Sequence, residues 1–175
     1  PSRADTIMDL HGVTVGMAAA DLPGEGYRDF ACAGESGKTL SGWAEWKACQ
    51  AGASGLRAIH VAYDQPGEED TIVAGHPVTL TLSFEEDGRL ARILIETDAK
   101  ARLFLRKKAQ LLGQQAKNHY GQSGWDCRPI KAGPNEEPIG PTLIKEECSK
   151  SLPDRVVTIS RALFHKTGGA PKDFV

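Results

Sequence analysis

The sequence predicts an α+β domain, a mainly antiparallel sheet packed on one long amphipathic helix over about 98–120 and braced by two local disulfides. Three observations carry that expectation. A strand–turn–strand pattern runs from Val78 to Thr97, a helix-periodic stretch without acids follows it to Gly121, and two pairs of cysteines flank both.

Val78, Leu80, Leu82 and Phe84 alternate with Thr79, Thr81 and Ser83, the period of a strand buried on one face and wet on the other. The turn follows at Glu85-Glu86-Asp87-Gly88, where Asp-Gly supplies a residue able to take positive φ. Leu90–Thr97 is the partner strand, with Ala91, Ile93 and Ile95 on one face and Arg92, Leu94 and Glu96 on the other. Thr97 or Asp98 is the expected N-cap of the helix. Ala101, Leu105, Ala109, Leu112, Ala116 and Tyr120 recur at helical spacing as one apolar stripe, Phe104 and Leu111 widen its flank, and Gly121 is the stop.

From Ala99 to Trp125 there is no Asp or Glu, whereas Lys100, Arg102, Arg106, Lys107, Lys108 and Lys117 are all cationic. Arg102, Arg106, Lys107 and Lys117 therefore form a candidate face for an anionic partner, either a polymer or a surface. The plainer reading is a solvated face whose cations cross to carboxylates such as Glu85, Glu86 and Asp87, as most surface charge runs do. No aromatic residue alternates with the cations, so the stacking platform for single-stranded nucleic acid is missing. A membrane-surface helix is set aside because the apolar stripe is explained as the face that covers the sheet.

At 175 residues and 18.8 kDa the chain fits one domain, 1–175, with loose termini at 1–5 and 167–175. A net charge of −2 argues against specific nucleic-acid binding, which calls for a basic domain. No window reaches the length of a transmembrane span. The start at Pro1-Ser2-Arg3-Ala4 is read as that of a mature chain whose export signal has been removed.

Cys32, Cys49, Cys127 and Cys148 allow three disulfide connectivities. Cys32–Cys49 with Cys127–Cys148 is the favoured one, because each bridge closes a short loop beside the central hairpin and helix. Disulfides imply an oxidising compartment, here a periplasm or the exterior. Zinc is the competing use, but there is no Cys-x-x-Cys, and His11, His60, His76, His119 and His165 are scattered. Neither a metal nor a cofactor is expected.

In chain order, Ile7–Val15 reads as a first strand, Met17–Leu22 as a brief helix and Tyr27–Cys32 as a second strand. Gly37-Lys38-Thr39 looks like the end of a phosphate-binding P-loop, yet the first required glycine is Cys32 and Leu40-Ser41-Gly42 is a poor helix start. A polar loop is the alternative. Trp43, Trp46 and Cys49 recur at three-residue spacing and suit a small core around a cystine, with an exposed recognition patch as the rival reading. Leu56–Tyr63 alternates as a strand whose buried face is undecided, and Gln65–Asp70 is a turn. Beyond the helix, Trp125-Asp126-Cys127 opens a tail, Lys131–Pro141 is a Pro- and Gly-containing loop, and Thr142–Ile144 and Arg155–Phe164 read as strands.

No stretch assembles a nucleophile, base and orienter, or a pair of acids. The sequence thus points to an extracytoplasmic, non-enzymatic binding, inhibitory or accessory protein with a protein partner or an anionic one. The alternative is an enzyme, either a degenerate P-loop-like nucleotide binder or a hydrolase whose site residues lie far apart in sequence.

Overall fold

The computed structural model describes residues 7–109, 111–139 and 144–169. The chain divides into two compact units, Pro1–Lys100 and Ala101–Val175. Antiparallel sheet dominates both, two disulfides are present, and no described helix is long and apolar enough to cross a membrane.

The first unit holds β1 (Tyr27–Cys32), β2 (Arg57–Tyr63), β3 (Ile72–Val73), β4 (His76–Phe84) and β5 (Leu90–Thr97). All are antiparallel, with β4 pairing β2, β3 and β5, and β1 outside β2. The alternation of β4 works as expected on one side: Val78, Leu80, Leu82 and Phe84 are buried beside Ile59 and Val61 of β2. Full burial of side chains of that size contributes roughly 1.5–3 kcal/mol each. The expected hairpin also forms, as a turn over Glu85–Gly88 in which the Gly88 amide bonds to the Glu85 carbonyl at 2.9 Å. Gly88 sits at φ 88°, and a Cβ there would stand 3.1 Å from the Trp46 ring, so backbone conformation and packing both require glycine.

Trp43 and Trp46 lie on a short 3₁₀ helix, Trp43–Ala48, and each is only 6% exposed. Their rings pack edge-on or stacked against Tyr27, Phe30 and Phe84 at 4.8–6.4 Å, which decides for core against recognition patch. The Tyr27 hydroxyl donates to the His11 carbonyl at 3.2 Å, and burial raises its pKa, so it stays a donor at neutral pH. The brief helix expected over Met17–Leu22 is a single 3₁₀ turn, Ala19–Asp21.

The strand expected over Ile7–Val15 does not form. His11 and Gly12 take positive φ (24° and 78°), and the chain folds back so that Leu10 bridges Val13. Asp9 holds the turn by accepting hydrogen bonds from the Thr14 hydroxyl (2.7 Å) and the Val15 amide (2.9 Å).

The single long helix over 98–120 is also corrected. The helical stretch comprises α1 (Leu103–Lys108) and α2 (Leu111–Tyr120). Asp98 does not cap it, because its carboxylate accepts from the Lys100 amide at 2.8 Å in a local turn. Around Ala109 the bonding tightens to i→i+3. Arg106, Lys107 and Lys108 stand in sequence there, with no acid a turn away to relieve their repulsion.

The second unit's main sheet contains β6 (Asp126–Pro129), β8 (Ile144–Leu152) and β9 (Arg155–Leu163), in the order β6-β8-β9. A separate two-stranded sheet pairs β7 (Glu136–Glu137) with β10 (His165–Lys166). Strand β6 begins where a tail was expected. The expected strand Thr142–Ile144 falls mostly outside the described residues, and β8 extends instead through Lys145-Glu146-Glu147-Cys148-Ser149-Lys150. Charge pairing replaces apolar alternation in that strand: Glu146 bonds Arg161 and Glu147 bonds Arg128, both at 2.6 Å across registered pairs. Of the ends expected to be loose, 1–5 and 170–175 lie outside the described residues, while Thr167 is tied to Asn135 (2.9 Å) and Glu137 (3.0 Å).

Helix α2 packs on β9 through Gly113, its one buried residue. A Cβ at Gly113 would lie 3.0 Å from both Ile159 and Arg161. Alanine at an exposed helical site would stabilise by about 1 kcal/mol. Here the contact reverses that sign, and Gly113→Ala is expected to lower stability by roughly 1–2 kcal/mol in denaturant unfolding, whereas a gain would show that the interface gives way.

Candidate functional site

Lys38 is the first candidate, and its environment is a structural clamp. The ammonium bonds the Ala48 carbonyl and lies 3.3 Å from Glu35 Oε2, while Glu35 Oε1 accepts from the Gln50 amide at 2.7 Å. Those two contacts, the Gln50 amide first, hold the Glu35 carboxyl below its ordinary range. Arg57 reaches the same place and bonds the Cys49 carbonyl. Two cations thus gather at the C-terminal end of the Trp43–Ala48 helix, where free carbonyls attract positive charge. The Cys32–Cys49 disulfide closes the loop from behind. Thr39 itself bridges Ala31, and the chain bends at Ser41-Gly42 before the 3₁₀ helix begins at Trp43, so the Lys38 loop does not run into a helix N-terminus where a phosphate could sit.

The expected anionic-partner face is divided. Arg102 precedes α1, Arg106 and Lys107 occupy its last turn, and Lys117 belongs to α2. Lys117 is engaged locally: its ammonium lies 5.8 Å from the Trp125 ring centre and 3.6 Å from Cys127 Sγ. Lys150 approaches the same ring at 5.7 Å and bonds the Tyr120 and Gly121 carbonyls at 2.6 and 3.1 Å. Together with the Trp125 indole N–H on Gly121 (2.8 Å), this closes the C-terminus of α2.

What remains open around α1 mixes charge with apolar surface. The stripe residues Ala101, Leu105, Ala109, Leu112 and Ala116 are only half-buried, and the flank is bare: Phe104 is 55% exposed, Leu111 50% and Leu103 38%. The expectation that the apolar stripe covers the sheet, which set aside a membrane-surface helix, does not extend to its flank at Phe104 and Leu111 or to Leu103. Arg102, Lys107 and Lys108 are exposed on the same stretch, and the Lys108 ammonium sits 5.5 Å from the Phe104 ring centre.

Two further features were missed in the sequence. Lys145 and Glu136 pair at 2.7 Å beside Phe164, with Glu136 inside the expected Lys131–Pro141 loop. On the first unit, a cavity of about 250 Å3 opens on the polar face of β2, β4 and β5. The threonine–serine alternation of β4, expected as a wet face, is the sequence signal for that cavity. His60, whose face the sequence left undecided, is exposed there, with Nδ1 2.9 Å from Thr81 Oγ1.

The Glu136 carboxyl is held below its usual range, first by the Gly133 amide at 2.7 Å and then by Lys145. Its contribution is therefore complete above the ordinary carboxylate pKa of about 4.3 and is lost as pH falls through the lower, folded value. Glu136→Gln is expected to unfold more readily than wild type at neutral pH, with a gap that narrows steadily below about pH 5. A gap independent of pH would mean that the ionised pair is not what the substitution removes.

No protein-family model, curated protein or solved structure matches this chain.

Proposed function

We propose that this chain is an extracytoplasmic binding or accessory protein that docks on an acidic partner protein through the α1 surface. The observation that carries the reading is the exposed Phe104, with Leu103 and Leu111 exposed on the same helical stretch, Lys108 over its ring and Arg102 exposed at the start of α1. An aromatic centre with a charged rim is the arrangement by which interfaces concentrate affinity in a few side chains, while surrounding charges steer encounter. A flexible polyanion would match the cations but offers no socket for Phe104. A membrane surface would accept Phe104, but α1 has six residues, too short to lay an extended apolar face in a bilayer interface.

The extracytoplasmic part rests on the two disulfides, which persist where thiols are not kept reduced. The nucleotide-binding alternative draws no support from Lys38, whose ammonium is committed to Ala48 and Glu35.

The test is photo-crosslinking from position 104 in cells, followed by measurement of binding to the partner recovered. Phe104→Ala is expected to weaken that complex by about tenfold or more, chiefly through faster dissociation. Arg102→Glu with Lys108→Glu should slow association and flatten its salt dependence. Binding of both variants at wild-type strength would reject the surface. Capture on vesicles rich in phosphatidylglycerol, lost in Phe104→Ala, would replace the protein partner with a membrane.

A further inference from the structure

The cavity on the first unit is a product of strand register. Ala58, Ser83 and Arg92 are cross-strand partners in one row, and His60, Thr81 and Leu94 form the next. Neighbours in such rows stand roughly 5 Å apart at Cβ, so one arginine, two hydroxyls and an apolar wall converge on one small space. Ser83 and Thr81 are only 8% and 9% exposed, which places both hydroxyls at the floor. The segment that carries Gln50, Ser54 and Leu56 forms the far wall.

Arg92 lacks a counter-charge. Among the described residues it makes no ion pair and no side-chain hydrogen bond, and no carboxylate lines the cavity. Ser83, its direct cross-strand neighbour, likewise makes no side-chain hydrogen bond among the described residues. Three other cations of the first unit do pair with a carboxylate: Arg28 with Asp29 and Asp64, Lys38 with Glu35 and Arg89 with Asp87.

We propose that this cavity binds a small organic monocarboxylate with a short apolar substituent. The carboxylate takes the Arg92 fork and the Ser83 hydroxyl, and the substituent lies against Leu56 and Leu94. A planar guanidinium matches two carboxylate oxygens, and its single charge balances a monoanion. Phosphate carries more than one negative charge at neutral pH and would leave the excess over an apolar wall. At about 250 Å3 the space is below the usual range for drug-sized ligands and suits a molecule of amino-acid size. The site is independent of the α1 surface and stands or falls separately from it.

The experiment is calorimetric titration of the full chain with sodium 4-methylpentanoate, with inorganic phosphate and 4-methylpentan-1-ol in parallel. The carboxylate is expected to bind, and the other two at least about tenfold more weakly. Arg92→Met should weaken carboxylate binding about tenfold or more, Arg92→Lys should fall between it and wild type, and Leu94→Phe should block it by filling the space. All variants are first compared with wild type in thermal unfolding without ligand. Should Arg92→Met fail to fold, Arg92→Lys and Ser83→Ala decide in its place. No binding of the carboxylate at tens of millimolar, equal binding of phosphate or the alcohol, or affinity unchanged by the Arg92 variants would each overturn the proposal.

Discussion

The Cys32–Cys49 bridge is the constraint on which the first unit's organisation depends. It joins the end of β1 to the end of the Trp43–Ala48 helix, so the two tryptophans on that helix must face the sheet. Lys38 and Arg57 then bind the carbonyls that the helix leaves free, and Glu35 ties the loop across to Gln50. Both cysteines are nearly inaccessible, at 3% and 1% exposure, so the bridge is part of the core. Closing a loop of this length restricts the unfolded chain by something like 3 kcal/mol in the chain-entropy account, a large share of a small domain's stability.

The second unit is held by a different balance. Its central strand β8 carries Lys145, Glu146, Glu147 and Lys150, and three of the four meet an opposite charge while Lys150 closes the end of α2. Ion pairs that water still reaches contribute little each, about 0–1 kcal/mol, so these fix register more than they add stability. The Cys127–Cys148 bridge joins directly opposed residues of β6 and β8 and enforces the same register covalently. Among the described residues this unit has few fully buried side chains, so it depends on that covalent link more than the first does.

The contrast explains what was legible in the sequence. The hairpin of β4 and β5 announced itself because one face is wholly apolar and the turn carries Asp-Gly, and the short spacing of each cysteine pair pointed to the observed bridges. Strand β8 did not, because its alternation is one of charge, whose partners Arg128 and Arg161 lie far away in sequence. The helix was over-extended because apolar spacing alone carries no record that Asp98 is spent on Lys100 or that the bonding tightens at Ala109. Of the candidate site, the cationic residues were legible as a composition, but their division between α1 and the Trp125 cluster was not. The Arg92 cavity required knowing that Ser83 pairs with Arg92 and Ala58 at once, a fact of register.

That two local disulfides brace the fold is open to direct measurement, by intact mass with and without reduction followed by non-reducing peptide mapping. The expected result is a gain of four hydrogens on reduction and two linked peptides, one joining Cys32 to Cys49 and the other Cys127 to Cys148. Four free thiols in protein isolated from its native source would contradict it. They would return the chain to a reducing compartment and release the Lys38 loop from the bridge that closes it.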